Sequence, residues 1–154
     1  YKTFTGLTQK YGIAPGNLNL EITETALMSD LQHHMETLTR LQDYGFVIEL
    51  DDFGSGYSSL NMLKDITADV LKIDMLFLRE TEHTVRNRII LQSVISMAKQ
   101  LGMAVIMEGV ETEEQLESLK KMGCELFQGY YFSRPISVEE FEQKYIGGTA
   151  RKGI

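Results

Sequence analysis

One cysteine, Cys124, stands among 154 residues. No internal disulfide can form, which fits a reducing, cytoplasmic compartment, and the lone thiol reads as a small core residue. No apolar run approaches the ~18 residues of a membrane span, and no secretory signal opens the chain. Positive charge is scarce: 15 Lys and Arg against 22 Asp and Glu give a formal net charge of -7. That balance argues against a basic surface that tracks a DNA or RNA backbone, and any anionic ligand must meet cations recruited locally. Low-complexity linkers are missing, as is any repeat beyond an alternation of strands and helices. The first residue is Tyr1, not methionine, and the sequence reads as a piece of a longer protein. The rest, 43% hydrophobic and 24% charged residues, is ordinary globular composition, long enough for one domain with its own core.

Five short segments read as buried strands: Leu18–Ile22, Phe46–Asp51, Val70–Asp74, Ala104–Glu108 and Glu125–Gln128. Each is apolar or β-branched and runs into polar or glycine signals. Helical patterns lie between them. Leu27, Leu31, Met35, Leu38 and Leu41 recur at helical spacing before Gly45, and Ile90, Val94, Met97 and Leu101 do so before Gly102. Thr112 with Gln115 forms a capping box ahead of the stripe Leu116, Leu119 and Met122. Ser137 with Glu140 opens a last helix with Phe141 and Tyr145 inward, and residues 147–154 form a frayed tail. The alternation implies a parallel α/β sheet. It fits an open doubly wound sheet or part of a (β/α)8 barrel. No G-x-G-x-x-G follows the first strand, which weakens a dinucleotide-binding version.

The polar residues cluster at the strand ends. Glu21 closes the first strand, and Asp51 with Asp52 the second. Lys72 and Asp74 share a face of the third, Glu108 ends the fourth, and Gln128 ends the fifth. The C-terminal ends of parallel strands are where ligands bind in barrels and open α/β sheets. Adjacent like charges such as Asp51 and Asp52 repel, and carboxylates gathered without cations stay partly protonated. Hard divalent ions, Mg²⁺ or Mn²⁺, take such oxygen ligands. A two-metal site would share Asp51 between ions ~3.5–4 Å apart, a pair suited to binding and hydrolysing a phosphodiester. Lys72 would add positive charge near the phosphorane or orient the attacking water.

With those residues in view, the chain resembles the EAL domain family of cyclic di-GMP phosphodiesterases. The matching stretches are "LEITETAL" at 20–27, "LDDFGSGYSSL" at 50–60, "VLKID" at 70–74, "EGVETEEQL" at 108–116 and "QGYYFSRPI" at 128–136. The resemblance implies a (β/α)8 TIM-type barrel, two Mg²⁺ or Mn²⁺ ions, and hydrolysis of one phosphodiester of cyclic di-GMP to linear pGpG. It implies metal ligation by Glu21, Asp51, Asp52 and Glu108. Lys72 and Asp74 resemble the pair that positions the attacking water, and Glu111 a carboxylate that supports the ligands from behind. Gln128 resembles a residue on the substrate side, where Arg134 is also a candidate for binding substrate. Glu24 resembles the glutamate that braces the loop 53–59, which is also linked to dimer contacts. The family's Glu-Ala-Leu motif and Asn-x-Ser strand are absent. Both lie upstream of the matched part, so residues 1–146 are expected to be a truncated EAL domain, about three strands of eight short. This chain alone is expected to be inactive and its parent active. Glu49 stands where the family has a small or apolar residue, and Met107 where it has alanine.

Weaker signals divide between functional and plain readings. His33 and His34 are adjacent on a helix and read as a solvated face. "GSGYSS" reads as a turn before it reads as a phosphate cradle. Arg134-Pro135 fits a guanine contact or a loop stiffened by proline. "RNRII" at 86–90 reads as a solvated face. Open sheet edges and the loop 53–59 point to a homodimer. The competing functional class is a non-catalytic module that binds cyclic di-GMP or dimerises.

Overall fold

The computed structural model describes residues 1–28, 30–54, 60–74 and 85–146. β1 (Asn19–Thr23), β2 (Val47–Phe53), β3 (Val70–Asp74), β4 (Ala104–Glu108) and β5 (Leu126–Phe127) form one sheet. Every pairing is parallel, and the strands lie side by side in chain order. α1 (Lys2–Tyr11) precedes β1. α2 (Glu24–Met28) and α3 (Leu31–Tyr44) join β1 to β2, and α4 (Leu60–Asp65) leads into β3. α5 (Val85–Gln100) leads into β4, α6 (Glu113–Lys121) into β5, and α7 (Val138–Phe141) follows. Crossovers between parallel strands are right-handed. Since the strand order never reverses, such crossovers put every connecting helix on one side of the sheet. That arrangement is a barrel wall, whereas a doubly wound sheet reverses its order. No helix among the described residues is long and apolar enough to cross a membrane.

Alternation along the strands splits the sheet into two faces. Ile48, Leu50, Leu71, Ile73, Val105 and Met107 are buried in one core with the inner faces of α3, α5 and α6. Fully burying each such side chain contributes ~1.5–3 kcal/mol. Met107 fills this layer with no exposure. Cys124 is buried as expected, with Sγ 3.5 Å from the Val105 carbonyl oxygen, and burial pushes its thiol pKa up.

The helices depart from the sequence reading in three places. The pattern through Leu27 and Leu41 breaks into two helices, because Asp30 caps a new start by accepting from the His33 N–H at 3.3 Å. In α5 the buried stripe is Leu91, Ile95 and Ala98, while Ile90 and Leu101 are exposed. The helix carries apolar residues on more than one face, so periodicity alone does not choose which face meets the sheet. Phe141 and Tyr145 do not point inward either. They lie exposed with ring centroids 5.1 Å apart, beyond β5, where no further described strand offers a face to cover them. Both capping boxes stand where expected as N-caps, with the reciprocal pair complete at Thr112 and Gln115. The expected tail at 147–154 lies outside the described residues.

The end of the sheet away from the strand C-termini is tied by one carboxylate. Asp69 Oδ2 accepts from the Ile48 N–H at 2.8 Å and from Gln42 Nε2 at 3.0 Å. Its backbone N–H donates to the Ile48 carbonyl at 2.9 Å, and its own carbonyl accepts from the Ala104 N–H at 2.9 Å. Thr67 Oγ1 completes the group by donating to Gln42 Oε1 at 3.0 Å. Asp69 thus fixes the starts of β2, β3 and β4 against the end of α3. Replacing it leaves the N–H of buried Ile48 without that acceptor, so Asp69→Ala should cost about 1–3 kcal/mol. A urea midpoint unchanged from the parent chain would show that water replaces the carboxylate at no cost.

Candidate functional site

The inner face of the sheet carries the polar residues. Period-two alternation puts Asn19 and Glu21 of β1, Glu49 and Asp51 of β2, Lys72 and Asp74 of β3, and Glu108 of β4 on that face. Register then sets their neighbours. Glu21 pairs with Glu49, Thr23 with Asp51, and Asp74 with Glu108. At the C-terminal end, the Lys72 ammonium lies 2.7 Å from Glu21 Oε1, 3.0 Å from Glu108 Oε1 and 3.2 Å from Asp51 Oδ1. The lysine side chain is 6% exposed, Asp51 18%, Glu108 17% and Glu21 52%. One buried cation therefore sits where three strands each deliver a carboxylate.

The electrostatics follow from that placement. Burial pulls the Lys72 pKa down, but the contacts from Glu21, Glu108 and Asp51 more than reverse it, so the ammonium is held charged well above the usual lysine range. For Glu108 burial dominates and pushes its carboxyl up. Lys72 pulls it back, while Asp51 and Asp74 add to the rise. Asp51 Oδ1 is buried and accepts no hydrogen bond. Lys72 stands close enough to attract that oxygen but out of line for a bond, so it is ion-paired without a donor.

Asp52 stands apart from its neighbour. Pairing between β2 and β3 shifts register between Leu50 and Phe53, and Asp52 adopts a left-handed backbone with φ 58°. Aspartate tolerates that region better than most residues, at a cost. The bulge breaks the alternation that would send Asp51 and Asp52 to opposite faces. It also lets β2 run on to Phe53 instead of ending at Asp51. Among the described residues, the ion pairs of Lys72 are with Glu21, Asp51 and Glu108, and Asp52 is exposed outside that set. No three carboxylate, histidine or cysteine residues among the described ones are gathered so as to hold a metal ion as they stand.

The other expected residues surround this cluster at varying distance. Asp74 is half-buried beside Glu108, and Glu24 is buried at the start of α2 directly after β1. Of the loop 53–59 it was expected to brace, residues 55–59 lie outside the described residues. Glu111 is exposed, with its backbone N–H donating to Gln115 Oε1 at 2.8 Å. Gln128 is exposed just past β5. Arg134 is exposed with its guanidinium 4.8 Å from the Tyr130 ring centroid. His33 is exposed as expected, while His34 is half-buried with Nδ1 3.2 Å from the Leu27 carbonyl oxygen. Arg86 and Arg88 are exposed on α5.

Two features were not read from the sequence. Glu49 is buried one layer below Asp51, where its Oε1 accepts from Asn19 Nδ2 at 2.6 Å. The signal was available, since Asn19 and Glu49 precede Glu21 and Asp51 by one strand period. The second is the approach of Gly129 to Val110. A Cβ at residue 129 would collide with the Val110 backbone carbonyl and amide. The Val110 N–H donates to the Gln128 carbonyl at 3.1 Å, and the Tyr131 N–H to the Val110 carbonyl at 3.0 Å. This junction locks the segment after β4, which carries Glu111, to the one after β5, which carries Gln128.

Parallel strands in chain order, with three carboxylates gathered around one buried lysine at their C-terminal ends, define a barrel-type α/β protein. The model of the family described as "EAL domain" matches residues 2–135, and the chain belongs to that family. It is 42% identical over 140 residues to "Cyclic di-GMP phosphodiesterase NbdA" of Pseudomonas aeruginosa, covering 89% of this chain and 18% of that protein. Its fold matches the crystal structure of the EAL domain of Mycobacterium smegmatis DcpA with a TM-score of 0.86 at 35% identity. That match covers 96% of this chain and 66% of that one. The manganese and cyclic di-GMP complex of Klebsiella pneumoniae BlrP1 matches with a TM-score of 0.78 at 34% identity, over 86% of this chain and 34% of that one. The expected part of a TIM-type barrel stands: five parallel strands in chain order, in the company of EAL domains.

Two expectations follow from this geometry. Glu108 has its carboxyl raised above its unfolded value, so the folded state holds that proton more tightly. The group then costs stability at neutral pH, and the cost vanishes as pH falls through the folded value to below about 4.3. In metal-free buffer, Glu108→Gln should raise the urea midpoint at pH 7 and leave it nearly unchanged near pH 4. A lower midpoint at pH 7 would mean that attraction to Lys72 outweighs burial. Gly129→Ala should cost about 2–3 kcal/mol, since backbone must move to admit the methyl group. A methyl accommodated without loss in thermal unfolding would contradict the close approach.

Proposed function

We propose that the chain is the greater part of a cyclic di-GMP phosphodiesterase domain, which opens one phosphodiester of the ring to give linear pGpG. The observation that carries this is the convergence of Glu21, Asp51 and Glu108, from three strands, on one buried ammonium in an EAL-family chain. The residues suit a divalent metal. Their donors are hard oxygens, and Asp51 Oδ1 is a buried acceptor with no hydrogen bond of its own. Glu21, Asp51, Asp52 and Glu108 would hold two ions, Mg²⁺ or Mn²⁺. Such ions, when bound, polarise the phosphoryl oxygens and lower the pKa of water.

The chain's own residues supply the rest. Lys72 presents its charge to the phosphoryl group and, with Asp74, orients the attacking water. Water adds to phosphorus, the 3′ oxygen leaves, and the new end is a 5′ phosphate. Glu111 supports the ligand set from behind. Gln128 and Arg134 face the substrate, with Arg134 already laid on Tyr130. Glu24 steadies the turn that follows β2. Among the described residues β1 and β5 are the edge strands of the sheet, and these edges would take a second copy of the chain, giving a homodimer. The competing reading, a non-catalytic cyclic di-GMP-binding or dimerisation module, draws on one observation: Lys72 already neutralises part of the acidic cluster.

Residues 1–146 lack the Glu-Ala-Leu and Asn-x-Ser motifs, so this chain alone should show no useful turnover. A longer protein carrying both should release pGpG in Mg²⁺ or Mn²⁺. In that protein Asp51→Asn should reduce the rate by about 10²-fold or more, since misplaced reacting atoms alone cost that much. Lys72→Ala should lower kcat more than it raises KM. Chromatographic measurement of pGpG release checks all four preparations. Equal activity of the short and long proteins would remove the claim of truncation. An inert long protein that still binds cyclic di-GMP would replace the catalytic reading with the binding module.

A further inference from the structure

The metal reading leaves a question about the protein before any ion arrives. Three carboxylates delivered to one place repel one another, and two of them are largely shielded from water. Something must hold them in register. The oxygens nearest to Lys72 belong to three different strands, and among the described residues no other cation reaches them. A lysine buried for packing alone would be satisfied by backbone carbonyls. This one is surrounded by charges that a divalent ion would also seek.

We infer that Lys72 is the resident counter-ion of the metal-free site, and that a divalent cation enters by displacing its ammonium from Glu21, Asp51 and Glu108. This rests on the proposed metal site and adds a competition within it. An ion on the same oxygens would bring two like charges within a few ångströms, so lysine and metal exclude each other from shared positions. By linkage, whatever Lys72 contributes to holding the carboxylates is subtracted from metal affinity, and metal loosens Lys72 by the same factor. The displaced ammonium is then free to face the phosphoryl group. Glu21 is the contact that yields first, because its side chain is half exposed and water can take over from the lysine. Readiness of the lysine for substrate thus depends on the site being loaded.

The test is Mn²⁺ affinity, counted from free ion by electron paramagnetic resonance, for this chain, Lys72→Met and Lys72→Arg. Lys72→Met removes the competitor at similar length and should bind Mn²⁺ about tenfold more tightly. In chelator it should melt below the parent chain, and Mn²⁺ should raise its melting temperature by more. Lys72→Arg keeps the charge and should bind like the parent. Equal or weaker Mn²⁺ binding by Lys72→Met overturns the inference. Should that variant not fold, the parent chain carries the test through the nitrogen-15 resonance of the Lys72 ammonium. It should shift on titration with Mg²⁺, and a resonance unmoved at saturation overturns the inference equally. Absence of Mn²⁺ binding by this chain, its variants and the longer protein alike overturns the metal reading itself, a different result from unchanged affinity.

Discussion

The ammonium of Lys72, held by carboxylates from three strands, sets the terms for the inner end of the sheet. Without it, Glu21, Asp51 and Glu108 would be uncompensated charges in a confined space. With it, three strands are cross-linked at the end where loops leave the barrel. A buried ion pair of this kind is weak evidence for stability, because desolvation offsets much of the attraction. The geometry depends on register: β1, β2, β3 and β4 must keep their alignment for the oxygens to meet one nitrogen.

Stability is supplied elsewhere. The apolar layer between sheet and helices carries the large burial term, and the Asp69 group ties the strand starts far from the site. The two ends of the strands therefore do different work. At one, hydrogen bonds are satisfied and neutral partners abound. At the other, a buried oxygen of Asp51 accepts no hydrogen bond and Asp52 holds a costly backbone angle. Local strain and unmet bonding at that end, with a well-satisfied scaffold below, is the usual division between a site and its support.

Much of this was legible in sequence. β3 and β4 end at the residues expected, since Lys72-Ile73-Asp74 and Met107-Glu108 pass abruptly from apolar to charged. The shared face followed from period two, and the shared end from reading the strands as parallel. What sequence missed has physical causes. The bulge at Asp52 depends on a backbone angle that no hydrophobic pattern encodes. The buried face of α5 depends on how the helix rolls against β4, and Leu91 and Ile90 are equally apolar. Phe141 and Tyr145 have the spacing of a core pair, yet spacing cannot say whether anything lies opposite. The Asn19–Glu49 bond depends on the register between β1 and β2, which the shared polar face of the two residues suggests but does not fix.

The contact of Gly129 with Val110 works as a mechanical stop. Strands in a sheet can slip along one another, and β5, with only Leu126–Phe127 in regular pairing, has little ladder to resist. Backbone seated against backbone at residue 129 leaves no slack for sliding in that direction. The depth at which Gln128 sits relative to Glu108 and Glu111 is then fixed by two main chains packed too closely to admit a side chain, so the reach of the last two loops is gauged by the smallest residue in the chain.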